Sequence, residues 1–558
     1  MTAPDIILHN AVLYMPEPFQ VNGFGTVPSG RLPGSSANTA AGAGEVTALA
    51  VTGSRITAVG SDRDVLAMAG ANTRILDLNR QLVLPGFTDT HFHFYEWAVT
   101  LNHIDFAGTR DFGGMTKAIR EKAALLGPGQ WILGQGFNES DWPENRMPDR
   151  LDLDLAAPDN PVCIWRCDLH LAVANSMALS LAGINTATSD PADGVIVRDG
   201  AGIPTGVLKE LAPNMIRAVV PELTFDQLLA NMEKAMSRAH ALGLTGIHDI
   251  RLMGGKEGAV ALRAWQALHA QKKLALRTHV TLPGEMTRQA VDLGFCTGFG
   301  DDRLRIGHLK FFSDGGMGAR TAWVTEPYLD AAYGMPLTPV DQIEQAVVMA
   351  DRAGLSCMVH AVGDRAVHEV IALFARVEAL HQSACRVPHR IEHAQMILPR
   401  DLSALGRLKN LAVSCQPNNM SLDISMIDQC AGGRGRYAYN FKHILATGVP
   451  TMFSSDAPVA DPNPLSGIYS AVTRKRMDKT PDAGWYPEQC LTVDQAVTGY
   501  TRTPALASGM GNILGSLTVG KRADLIVLDR NLFAVDPDEI AQVRVVLTLF
   551  DGKVVHDG

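Results

Sequence analysis

Residues 81–94 read QLVLPGFTDTHFHF, an apolar run that ends in His91 and His93. In a strand, residues two apart point to the same face, so both imidazoles fall on one side. Two imidazoles so placed can grip one cation. An HxH pair also arises from two ordinary histidines, so the reading depends on what the other strands do.

Working outward, seven more apolar runs have strand texture. They are TGIHDI (245–250), LALRTHVTL (274–282), LRIGHLKFFSD (304–314), LSCMVHAVGD (355–364), HRIEHAQ (389–395), LAVSCQP (411–417) and PTMFSSDAP (450–458). Helical patterns separate them; TFDQLLANMEKAMSRAHALG (224–243), for example, directly precedes TGIHDI. That alternation predicts a parallel sheet with crossover helices, and eight strands close a (β/α)₈ TIM-like barrel. The C-terminal strand ends of such a barrel converge on one mouth. His360, His393 and Asp456 each stand at a strand end, as His91 and His93 do. A lone histidine there would be ordinary core, but four histidines and an aspartate at four strand ends point to a metal centre.

A ninth run, WILGQGF (131–137), has no place in an eight-stranded barrel. It falls within an insertion of about residues 105–222 after the first barrel strand, long enough to need its own structure. The chain ends differ in texture. DIILHNAVLYM (5–15), EVTALAVTGSRITAVG (45–60), ADLIVLD (523–529) and VRVVLTLFDGKVV (543–555) read as short strands, with turns at Gly53-Ser54 and Asp551-Gly552. Neither end can bury a core alone. Residues 1–85 and 505–558 are therefore expected to form one small β-sandwich, with the barrel over 86–504. The segment VNGFGTVPSGRLPGSSANTAAGAG (21–44) reads as a flexible excursion from a hairpin.

Composition narrows the function classes. A chain of 558 residues exceeds a single ordinary core. It is 46% hydrophobic and 19% charged, with a net charge of −9, which fits a soluble globular protein without the basic footprint that nucleic acid requires. No apolar run is long enough to span a membrane, and the first residues lack a signal-peptide pattern. Eight scattered cysteines, with CIWRC (163–167) the only close pair, suit neither a zinc ribbon nor a redox CxxC. A cytoplasmic enzyme acting on a small molecule is expected, and a homodimer is compatible with the sequence.

Lys310 lies inside the apolar strand LRIGHLKFF (304–312), where an unpaired ammonium is costly. It either pairs with a carboxylate such as Asp314 or is neutral and carbamylated by carbon dioxide. A carbamate offers two anionic oxygens and can bridge two cations. His308 shares the strand face of Lys310 and competes as a ligand, so periodicity leaves the choice open.

The set HFH (91–93), LKFFSDGGMGARTA (309–322), VHAVGD (359–364), RIEHAQ (390–395), SCQP (414–417) and SSDAPV (454–459) resembles amidohydrolase family 3, in particular its YtcJ-like branch. GQGFNESDWPENRMPDRLDLD (134–154), WRCDLHLAVANSMAL (165–179), TRTPALASGM (501–510) and GSLTVGKRADLIVLD (515–529) extend the resemblance over nearly the whole chain. The branch includes enzymes like N-substituted formamide deformylase. The resemblance implies one or two divalent ions, usually zinc. His91, His93 and Asp456 would hold one, His360 and His393 the other, and carbamylated Lys310 would bridge them. It also implies hydrolysis of a non-peptide carbon–nitrogen bond by metal-activated hydroxide, with Asp456 as general base and then acid. An esterase or lactonase on the same site, and an N-acyl amino acid hydrolase, are the alternatives.

Substrate contacts are less sharply marked. Asp314 and Arg320 in SDGGMGAR (313–320) border the mouth, either touching substrate or pairing to steady the loop. His248 ends TGIHDI, behind the ligands or facing substrate. Trp142 and His170 belong to the insertion, as core or as a cover. With Trp142, Phe137 and Trp323 as walls and His170 and Arg320 as the main polar candidates, the expected substrate is a small, largely uncharged amide bearing an apolar group. Arg320 could instead recognise a carboxylate.

Overall fold

The structure is a computed structural model of the chain. It describes residues 3–558 apart from 16–19, 22–24, 27–45, 107, 138, 140–141, 145, 167–170, 192–193, 211, 252–256 and 381–382. The Gly- and Ser-rich excursion lies almost wholly outside the described residues.

The eight apolar runs all become strands of one parallel sheet. They are β1 (Phe87–Phe92), β2 (Leu244–Asp249), β3 (Arg277–Pro283), β4 (Leu304–Phe312), β5 (Cys357–Ala361), β6 (His389–His393), β7 (Leu411–Cys415) and β8 (Thr451–Phe453). Each hydrogen-bonds to the next in chain order. The last strand returns to the first through Thr90 Oγ1, which donates to the Phe453 carbonyl at 3.2 Å. Just beyond, the Asp456 amide donates to His91 O at 2.8 Å and the His93 amide to Ala457 O at 2.9 Å. Amphipathic helices such as Val340–Arg352 and Asp364–Leu380 join the strands, their buried faces supplied by Ile343 and Val347, and by Val367, Val370 and Phe374.

The run QLVLPGFTDTHFHF serves two sheets. Leu82–Pro85 belongs to a five-stranded sheet with Val12–Leu13, Leu525–Leu528, Val545–Phe550 and Lys553–Asp557, whereas Phe87 onward enters the barrel. The crossing point is Gly86, where a Cβ would stand 2.2 Å from Thr245 Oγ1, so no larger residue fits. A four-stranded sheet of Ile6–His9, Ala48–Thr52, Arg55–Gly60 and Arg74–Asp77 packs on the five-stranded one. Their shared core joins Leu8, Leu49 and Val51 to Leu13, Val83, Leu525, Val527 and Leu549. Each such side chain, fully buried, contributes about 1.5–3 kcal/mol. Both chain ends thus build one sandwich. The hairpin at Asp551-Gly552 has positive φ at both turn residues, 53° and 77°, as a two-residue turn of that twist requires.

Arg277 fastens the barrel to the sandwich. Its guanidinium meets Asp524 in two bonds of 2.8 and 3.0 Å and Asp551 in a third of 2.8 Å.

Residues Val99–Leu228 form a compact unit of their own. Its six-stranded sheet runs Ile104–Asp105, Ile132–Phe137, Val162–Arg166, Leu171–Ala174, Pro204–Glu210, Gly194–Arg198. WILGQGF is its second strand. The core gathers Phe106, Met115, Ile119, Phe137, Trp142 and Leu153. Among the described residues, no helix of the chain is long and apolar enough to cross a membrane.

Candidate metal centre

His91 and His93 leave the end of β1 on the same side, and Asp456 arrives from beyond β8. His93 Nε2 lies 3.1 Å and His91 Nε2 3.4 Å from the same oxygen, Asp456 Oδ1. The His393 ring stands 4.8 Å from that of His91 and 4.5 Å from that of His360, centroid to centroid. One ligand atom from each of His91, His393 and Asp456 falls within a span of 4.8 Å. Strand alternation alone does not place them so. Arg390 and Glu392 of β6 point into the barrel, which would turn His393 outward. His393 instead takes φ +71° and Asp456 φ +61°, a backbone region that L residues seldom occupy and that concentrates at functional sites.

The second nitrogen of each ring is already committed. His93 Nδ1 donates to Ile250 O at 3.0 Å, His91 Nδ1 faces Glu392 Oε2 at 2.5 Å, and His393 Nδ1 donates to Gln416 Oε1 at 2.8 Å. His360 is the reverse case: its Nε2 lies 3.3 Å from Gly315 O, which leaves Nδ1. Each imidazole therefore keeps one lone pair for a cation, with its tautomer set from behind. Burial pushes His91 and His360 well below the ordinary imidazole range and His393 to about 3, so these rings are neutral at neutral pH. Burial would raise the Asp456 carboxyl, but the positive charge that its imidazole neighbours can carry lowers it on balance, and a cation held between them would do the same.

Lys310 lies beside them on β4. Its Nζ is buried, has no hydrogen-bond partner among the described residues, and sits 4.7 Å from the centre of the Phe312 ring. Burial pulls its amine down to about 8, against the pull of Glu392 and Asp456. Asp314 does not pair with it: that carboxylate accepts from the backbone amides of Val362, Gly363 and Trp323 at 3.0, 2.8 and 2.9 Å. His308 faces away to Pro388 O at 3.0 Å. Neutral imidazoles, an ionised carboxylate and an unpartnered amine make a donor set that fits a divalent ion such as zinc. Asp351, Cys385 and His389 also cluster. There both imidazole nitrogens are used, Nε2 by Asp351 at 3.0 Å and Nδ1 by the Cys357 amide at 3.0 Å.

The remaining sequence candidates fall elsewhere. Trp142 takes the core alternative: it belongs to the core of the Val99–Leu228 unit, edge-on to Phe112 and tilted against Phe137, with its indole N–H donating to Thr109 O at 3.1 Å. Phe137, fully buried in the same core, is likewise no pocket wall. Arg320 takes the loop-steadying alternative, with Asp330 rather than Asp314 as its partner. Its guanidinium grips Asp330, at 2.8 Å in the shortest of three bonds, and so braces its own loop. Asp314 organises loop amides, as above. His248 stacks on His279 at 4.7 Å and accepts from Arg390 Nη1 at 2.7 Å inside the barrel. His170 lies outside the described residues.

Sequence reasoning missed four residues. Glu392 and Arg390, both fully buried, pair at 2.8 Å under His91. Their two-residue spacing in HRIEH, with opposite charges on one strand face, was the available signal. Asn419 Nδ2 reaches Asp456 Oδ2 at 3.4 Å, and Asp423 takes a 2.6 Å bond from Tyr439 Oη. Both stand on the helix Pro417–Ala431 that follows β7.

Comparison with known proteins gives the family. The profile of the amidohydrolase family matches residues 74–556. The putative amidohydrolase YtcJ of Bacillus subtilis (strain 168) is 29% identical over 87% of this chain and 91% of its own. The N-substituted formamide deformylase of Arthrobacter pascens is 28% identical over 91% and 95% respectively. A crystal structure of an uncharacterized metal-dependent hydrolase from Pyrococcus furiosus superposes with a TM-score of 0.71 at 26% identity, covering 96% of this chain and 99% of that one. The chain belongs to the amidohydrolase family, and it is a metal-dependent hydrolase.

Proposed function

We infer that the protein hydrolyses a non-peptide carbon–nitrogen bond, in an amide or an N-substituted formamide. The observation that carries the reading is Lys310, a buried amine with no hydrogen-bond partner among four histidines and an aspartate. An amine of this kind, brought down to about 8 by burial, is partly unprotonated near neutral pH, where it adds carbon dioxide and releases one proton to become an N-carboxylate. Its two oxygens would then bridge a pair of cations, one on His91, His93 and Asp456 and the other on His360 and His393. Zinc suits these donors best. Such ions supply Lewis acidity and bring the pKa of water towards ~7.

The chain's own residues do the rest. Asp456 receives the proton of the attacking water and delivers it to the departing nitrogen. Glu392 holds His91 in one tautomer, and Gln416 does the same for His393. The Asp314 carboxylate ties the loop after β4 to that after β5, keeping His360 in place. The relatives named amidohydrolase and formamide deformylase point to the same bond class.

Zinc-loaded protein should be offered N-formyl and N-acyl amines beside matched esters. Turnover of the nitrogen compounds is expected. Turnover confined to the esters would overturn the reading.

A further inference from the structure

Beside the metal centre stands a wall that the hydrolytic chemistry does not use. Asn419 and Asp423 lie four residues apart on the helix Pro417–Ala431, hence on one face of it. Asn419 Nδ2 donates to Asp456 Oδ2 at 3.4 Å, and its Oδ1 is buried with no partner. One turn on, Asp423 accepts from Tyr439 Oη at 2.6 Å and from Gln395 Nε2 at 3.2 Å, both on Oδ2. Oδ1 takes no hydrogen bond, and no lysine, arginine or histidine among the described residues pairs with this carboxylate. It also feels the negative charge of Asp456. A half-buried carboxylate with one oxygen left over and no cation is a ready acceptor for a positively charged donor.

The mechanism says what comes there. If Asp456 returns its proton to the departing nitrogen, that nitrogen must lie beside Asp456. The groups flanking Asp456 away from the histidines then face the amine half of the substrate. Those groups are two oxygen acceptors in search of donors, a backed carboxylate and an amide carbonyl. A carboxylated substrate would be repelled, and Arg320, the sequence candidate for receiving one, is occupied by Asp330.

We propose that Asn419 and Asp423 recognise the amine half of the substrate, so that the preferred substrate carries a second, positively charged nitrogen beyond the scissile one. The proposal rests on the amide reading of Asp456 and replaces the uncharged leaving group expected when Trp142 and Phe137 were taken as walls. It makes the protein a deacylase or deformylase of singly acylated diamines.

The test separates binding from turnover. Equilibrium binding of p-xylylenediamine and of 4-methylbenzylamine to the zinc-loaded enzyme is measured by calorimetry, and hydrolysis of their mono-N-formyl derivatives is followed in parallel. A charge-assisted bond to a half-buried carboxylate should favour the diamine by about tenfold or more. Asp423→Asn should bring that ratio close to one, and Asp423→Glu should restore part of it. Equal binding of the two amines by the unaltered enzyme, or a ratio unmoved in Asp423→Asn, overturns the proposal. The first of these needs no variant. Preference in binding without hydrolysis of either formamide supports the wall and refutes the amide reading instead. Hydrolysis without preference refutes the wall alone.

Discussion

His91 Nδ1 and Glu392 Oε2 lie 2.5 Å apart, with both side chains buried. The contact forces the Nε2 lone pair of His91 towards the centre, and Arg390 beneath it supplies the balancing charge at 2.8 Å. Glu392→Ala should therefore weaken metal binding by about 10–100-fold, the usual loss when such a backing carboxylate is removed. Competition with a zinc chelator measures this directly. Glu392→Gln, whose carbonyl still accepts from His91, should fall between. A chelator midpoint identical to that of the unaltered protein would show the contact to be dispensable.

His91→Ala and His93→Ala should each lower metal content as well as activity, because both rings approach Asp456 Oδ1. Elemental analysis of the purified variants checks this. Full metal content in both would move the centre elsewhere.

If Lys310 carries the proposed bridging carboxylate, Lys310→Ala should abolish turnover. Acetate or propionate at high concentration should restore a fraction, since a short carboxylate can stand where the carbamate stood. Rescue is read as rate against added acid. Undiminished activity of Lys310→Ala without added acid would contradict the assigned role.

Arg277→Ala should destabilise the fold by about 3–5 kcal/mol, because it leaves buried Asp524 without its cation, while Asp551 keeps Arg303 and Arg522. Urea denaturation followed by circular dichroism gives the value. A loss below about 1 kcal/mol would mean the barrel and sandwich are not held at this point.

The barrel was legible because strand-like runs, most of them apolar, alternate with helical patterns. The candidate centre was legible because its residues close those runs: HFH, VH, EH and SSD. What stayed hidden depends on three-dimensional partners. Gly86 hands one apolar run to two different sheets, a division no periodicity marks. His393 and Asp456 reach the centre through positive φ, which alternation does not anticipate. Trp142 and Phe137 read as pocket walls from their aromatic character, but they pack on each other, and Trp142 packs on Phe112. Asn419 and Asp423 gain meaning only once the helix after β7 is seen to run past Asp456.

The account rests on Asp456 as the group that moves the proton. Asp456→Asn keeps one oxygen for a cation and the size of the side chain but cannot take a proton. Metal content and kcat of this variant on an N-substituted formamide, measured on the same preparation, test the claim most directly. The account predicts near-full metal with kcat lowered by about 10²–10⁴. Full metal with kcat close to that of the unaltered enzyme would contradict it.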